Sequence, residues 1–84
     1  MQNDNRIRWR CRRGMKELDV LMERFLQRGY AQLDDAERES FERLLDARDP
    51  DLYGWLTGRD LPADRALVSL VERMRPLIQY ETPR

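Results

Sequence analysis

Histidine is absent from this chain of 84 residues, and with it the commonest general base and metal ligand. Cysteine occurs once, as Cys11, so no internal disulfide can form, which suits a reducing compartment. One thiol without an imidazole makes neither a structural zinc site nor a Cys–His nucleophile. Ser40 and Ser69 each fall inside a helical stretch with no base near them in sequence. The glycines Gly14, Gly29, Gly54 and Gly58 stand apart from one another, which excludes a Gly-rich phosphate loop. No run approaches the roughly 20 apolar residues of a membrane span, so no membrane insertion is expected. The N-terminus has no apolar run behind its charges, unlike a secretory signal. Its arginines lead straight into the first helical pattern, unlike a cleavable presequence. A cytoplasmic protein is expected. Net charge is zero, so nucleic acid and membrane exert no bulk pull on the molecule.

What is present is helical periodicity. Apolar residues make up 40% and charged residues 38%, too apolar for a disordered chain and too charged for a large interior. A chain this short buries about 60% of its unfolded surface, enough for one modest core and no deep catalytic pocket. Fifteen of the sixteen basic residues are Arg, with Lys16 the exception, a composition suited to planar, multi-donor pairing with carboxylates and to contact surfaces.

Punctuation and spacing predict an all-α protein: a compact single-domain bundle of five short helices over residues 1–76, with a C-terminal tail over 77–84. The first helix runs from about Asp4 to Arg13, opened by Asn3, Asp4 and Asn5 and closed at Gly14. The second, about Lys16 to Arg28, carries Leu18, Leu21, Met22, Phe25 and Leu26 on one face and stops at Gly29. Asp34 as cap and Glu37 three residues on form a capping-box pair for the third, with Phe41, Leu44 and Leu45 following. Asp49 as cap and Pro50 at the first position open the fourth, which presents Leu52, Tyr53, Trp55 and Leu56 and ends at Gly58. The fifth starts near Pro62 and is expected to bury Ala66, Leu67, Leu70, Val71 and Met74, with Pro76 stopping or kinking it near Arg75. Asp49, Asp51, Gly54 and Asp60 have a spacing reminiscent of a calcium loop. Tyr53 stands where an oxygen ligand belongs and Asp60 where a bidentate Glu belongs, so helix capping is the preferred reading.

Charge is unevenly distributed. Arg6, Arg8, Arg10, Arg12, Arg13 and Lys16 follow one another with no intervening acid, and at i, i+4 spacing they repel. The macrodipole offsets part of this for Arg12 and Arg13 and little for Arg6. Either acids from later helices pair with these cations, or they face a partner. Trp9 lies among them, either as a core anchor or lid over the bundle or as an exposed contact; Trp with Arg are the residue types that dominate interface energetics. Cys11 is expected to be a small buried hydrophobe. Gly14 breaks the helix just before the first acids, Glu17 and Asp19, and permits a tight corner.

The run Trp9-Arg10-Cys11-Arg12-Arg13-Gly14-Met15-Lys16-Glu17-Leu18-Asp19, with its Arg-Gly-x-x-Glu core, resembles the signature of the succinate dehydrogenase flavinylation factors (FAD assembly factors). The likeness continues through Phe25, Tyr30, Leu33, Phe41, Leu44, Leu45, Asp51, Leu52, Trp55, Leu56 and Pro62, over nearly the whole chain. The absence of a presequence fits the bacterial branch. The resemblance implies a chaperone-like assembly factor, not an enzyme. It would bind the flavoprotein subunit of succinate dehydrogenase, and of the related fumarate reductase, and promote covalent attachment of FAD to a histidine of that subunit. It implies no cofactor bound by this chain itself and a monomer when free. Carried over by position, Arg13, Gly14 and Glu17 are the motif residues, and Arg8, Trp9, Arg12 and Asp19 their neighbours in the contact surface. On this reading Gly14→Arg is expected to abolish partner binding while leaving helicity and melting nearly intact. Two other readings stay open at this point. One is an antitoxin-like regulator of a small membrane toxin, a role also attached to relatives. The other is a nucleic-acid-binding helical module, against which the zero net charge counts.

Overall fold

Leu18, Leu21, Met22 and Phe25 recur at threes and fours, and the helix they build turns all four into the core. The computed structural model describes residues 2–78, with side chains from Arg6 to Ile78. Five helices are formed in the order α1 (Gln2–Cys11), α2 (Lys16–Arg28), α3 (Asp35–Leu44), α4 (Asp49–Leu56) and α5 (Arg65–Ile78), with a single 3₁₀ turn at Tyr30–Gln32. No strand occurs among the described residues. The fold is the expected all-α bundle. Its radius of gyration is 12.1 Å, against about 12 Å for a compact domain of this length.

α5 is the shared helix, packing against α2, α3 and α4, while α1 lies on α2. Phe25 and Phe41, both fully buried, meet with ring centroids 5.3 Å apart and planes tilted by 40°. Tyr30 approaches Phe41 from the 3₁₀ turn at 5.4 Å. Each such side chain contributes roughly 1.5–3 kcal/mol by leaving water. Among the described residues α1 gives the core Ile7 and Cys11, whereas α5 gives it Leu67, Leu70, Val71, Met74 and Ile78.

Several element ends differ from expectation. α1 closes at Cys11, so Arg12 to Met15 form a non-helical corner. Its expected caps Asn3, Asp4 and Asn5 fall where no side chain is described. The Asp34–Glu37 capping box forms as expected, each side chain taking the other's backbone N–H. Asp49 is not the cap of α4. Arg48 holds that position without a side-chain bond, Asp49 is already helical, and its carboxylate is turned to Arg13. α5 begins at Arg65, capped by Asp64, which accepts from Ala66 N at 2.8 Å. The Arg43 guanidinium first, then the Ala66 amide, hold the Asp64 carboxyl below its usual value. Ala66 is exposed rather than buried, because that cap places it on the outer side of the first turn.

Pro76 does not end α5. The helix runs through it to Ile78, which is only 1% exposed. Proline inside a helix costs about 3 kcal/mol by removing one N–H and crowding the carbonyl four residues back. Here both Pro76 and Glu72 are on the solvent side, where water can serve the freed carbonyl. Two arginines of α2 close the end: Arg28 Nη1 donates to the Leu77 carbonyl and Arg24 Nη1 to that of Ile78, each at 3.0 Å. Residues 79–84 of the expected tail lie outside the described residues. No described helix is long and apolar enough to cross a membrane.

Candidate functional site

The corner between α1 and α2 is held from two sides. From α2, Asp19 reaches back so that one carboxylate oxygen accepts from Arg13 N at 2.6 Å and the other from Gly14 N at 3.2 Å. Gly14 sits at φ +92°, a conformation open to glycine and strained for other residues. From the far side, the Arg13 side chain crosses to the α3–α4 turn. Its Nε donates to Asp49 Oδ1 at 2.8 Å, Nη1 to the Leu45 carbonyl at 2.7 Å, and Nη2 to the Ala47 carbonyl. The Arg13 side chain is only 13% exposed. Its charge faces inward. Arg10 is likewise engaged, with Asp46 at 2.9 Å and Glu42 at 3.9 Å.

The remaining cations divide from these. Arg8 and Arg12 are exposed, and their side chains form no hydrogen bond or ion pair with the described residues. Trp9 between them is 77% exposed, the most exposed large apolar side chain described. Together they rim a groove of about 400 Å³ between α1 and α2, whose other wall is Asp19, Glu23 and Leu26. A second hollow of about 410 Å³ continues past Arg12 and Lys16 along Val20 and Arg24. A third, of about 240 Å³, lies beyond Arg8 toward Ile7, Tyr30 and Arg38. Arg38 stacks over the Tyr30 ring there, 5.2 Å from its centroid. Glu17 is exposed on the first turn of α2, and its carboxylate has no hydrogen bond or ion pair with a described residue.

The sequence-derived set therefore separates by geometry. Arg8, Trp9 and Arg12 form one open face with Asp19 in its wall. Gly14 and Glu17 sit on the exposed corner. Arg13, expected to offer its charge at the surface, is half-buried and turned inward in the tie to α3–α4. Glu23 and Arg38 were not among the expected site residues. Glu23 carried a readable signal, since Asp19, Glu23 and Leu26 follow at i, i+4, i+7 and so share one stripe. Arg38 is brought in by tertiary packing alone.

Cys11 closes the floor of the groove but is 2% exposed. Burial pushes its thiol up to about 12, against the lowering influence of Arg13, Arg10 and Arg8. It packs as a hydrophobe. The residues of the calcium-like spacing serve other ends: Asp49 pairs with Arg13, and an Asp60 carboxylate oxygen lies 2.9 Å from where a Cβ on Gly54 would stand. Gly14→Arg would meet nothing within 4 Å of its Cβ, yet the positive φ strains it. The expectation of nearly intact melting for that variant is corrected accordingly.

A family model described as flavinator of succinate dehydrogenase matches residues 5–78. Among curated relatives, the FAD assembly factor SdhE of Methylococcus capsulatus is 44% identical over 78 residues, covering 93% of this chain and 94% of the relative. The protein of the same name from Coxiella burnetii is 43% identical over 72 residues, 86% of this chain and 88% of the relative. That from Pectobacterium atrosepticum is 43% identical over 79 residues, 94% and 85% respectively.

Proposed function

The chain belongs to the family of flavinators of succinate dehydrogenase, and from that premise we propose that it binds the flavoprotein subunit through the α1–α2 face and promotes covalent FAD attachment there. The observation that carries the choice of face is the exposed Trp9 between Arg8 and Arg12, two cations without partners among the described residues. An exposed Trp flanked by arginines over a groove has the make-up of an interface anchor. These two exposed cations fit an acidic patch on the partner, and electrostatic complementarity of that kind speeds encounter and fixes register. Glu17 supplies the opposite charge across the corner.

The mechanism on this reading is positioning. This chain has no histidine, so the residue that takes the flavin belongs to the partner. A rigid corner that holds the flavoprotein with its histidine and flavin aligned accelerates their reaction by orientation, done in trans. No cofactor need bind to this chain, and the same contacts serve the related fumarate reductase flavoprotein if it presents the same surface.

The test uses Arg8→Glu with Arg12→Glu, and separately Trp9→Ala. All three positions are exposed, so folding stability is expected to stay within about 0.5 kcal/mol of the parent. Flavin-linked fluorescence of the flavoprotein subunit in a denaturing gel is expected to drop sharply when these variants replace the parent chain. Normal fluorescence with either variant would rule out this face as the site.

A further inference from the structure

We propose that Arg13 is a positioning residue rather than a contact residue: through Asp49, Leu45 and Ala47 it fixes α1 in the pose in which Arg8, Trp9 and Arg12 meet the partner. The inference rests on the α1–α2 face being the docking surface. It adds a second region, the α3–α4 turn, to what that surface requires.

Among the described residues, little apolar surface holds α1. Ile7 and Cys11 are its buried apolar side chains among the described residues, and of the larger helices it packs mainly on α2, meeting α3 through the Arg10–Glu42 pair. Two small hydrophobic contacts leave a short helix free to tilt. Polar ties help fix its direction, and those among the described residues lie at its C-terminal end. Arg10 reaches Asp46, and Arg13 reaches Leu45, Ala47 and Asp49. Arg13 uses Nε, Nη1 and Nη2 on three separate acceptors of one turn. A guanidinium can do this because its donors are fixed in a plane; an ammonium on a flexible stem cannot reproduce that fork. With its side chain 13% exposed, Arg13 has little surface to offer a partner. The corner amides are held independently by Asp19, so loss of the Arg13 tie leaves the corner closed while releasing the helix that precedes it. Misplacement by about 1 Å of a recognition face is enough to lower binding or reaction substantially.

The experiment is a double-mutant cycle on the full chain, with Arg13→Ala, Asp49→Ala and the pair, binding the flavoprotein subunit at two salt concentrations. Circular dichroism fixes a temperature at which every variant is fully folded. Each single change is expected to weaken binding by about tenfold, and the pair no more than either alone, as residues in one network behave. Arg13→Lys is expected to fall short of rescue. The salt dependence of affinity is expected to stay that of the parent in Asp49→Ala, while Arg8→Ala with Arg12→Ala flattens it, since only the latter removes charge from the interface. Parent-like binding of Asp49→Ala beside a weakened Arg13→Ala would overturn the proposal and make Arg13 a direct contact. Parent-like binding of Arg8→Ala with Arg12→Ala would instead remove the docking face itself, and the positioning role with it.

Discussion

A Cβ added at Gly14 would touch nothing within 4 Å, yet its φ of +92° lies where side chains are strained. At Gly29 the reverse holds: φ is negative, at −140°, but a Cβ would stand 2.6 Å from Leu77 Cδ1 and 2.8 Å from Phe25 Cε1. Gly14→Ala is therefore expected to cost about 1–2 kcal/mol from strain, and Gly29→Ala about 1–3 kcal/mol from overpacking. In thermal melts each kcal/mol lowers Tm by about 4–8 °C for a domain of this size. An unchanged Tm for Gly14→Ala would mean that the corner relaxes to negative φ. Cys11 supplies a pH prediction. Its folded pKa, about 12, is raised above the ordinary 9.0, so between these values the unfolded chain gives up a proton that the folded chain keeps. Stability from this group is complete below pH 9 and falls as pH rises toward 12. Urea midpoints of the parent and Cys11→Ala are expected to converge as pH is raised from 8.5 to 10.5. Parallel curves would show that the thiol is not shielded. The sequence made Gly14 visible as a corner and Cys11 as a core residue. It could not show where Arg13 points, because its acceptors lie more than thirty residues away.

At the scale of the element, the legible features were the local ones. Asp34 and Glu37 are three residues apart, so their capping box is written in sequence, and Asp34→Ala is expected to cost about 1 kcal/mol. Asp49 and Pro50 also marked a helix start, but the competing claim of Arg13 on the Asp49 carboxylate moved the cap by one residue. Pro76 misled in the other direction. Its penalty was readable; the closure of α5 by Arg24 and Arg28 was not, since both come from another helix. A chain ending at Pro76 would lose Ile78 from the core together with both closing bonds. Removal of one such aliphatic side chain costs about 2–5 kcal/mol, so its urea midpoint is expected to fall well below that of a chain ending at Ile78. Equal midpoints would show that the last turn contributes nothing.

For the whole molecule, periodicity and punctuation were enough to place five helices, whereas the sorting of the cations into outward Arg8 and Arg12 and inward Arg10 and Arg13 required the tertiary structure. The arginine-rich composition suggested surface ion pairs along helices. The pairs described run between elements, as in Arg43–Asp64 and Arg73–Glu37. Many guanidinium bonds go to main-chain carbonyls at helix ends: Arg13 on Leu45 and Ala47 after α3, Arg75 on Trp55 in the last turn of α4 and on Asp60 beyond it, Arg24 and Arg28 on α5. Helices of 8 to 14 residues do not persist alone in water. Unfolding followed by far-ultraviolet dichroism and by Trp55 fluorescence, in a Trp9→Phe background, is expected to give one superimposable transition; separated midpoints would contradict it. Because each of these helix ends is finished by a side chain from elsewhere in the chain, cutting one segment away leaves another open. Limited proteolysis should accordingly yield intact chain and short peptides with no stable fragment between them, and cellular turnover would follow the global stability of the protein rather than the exposure of any one loop.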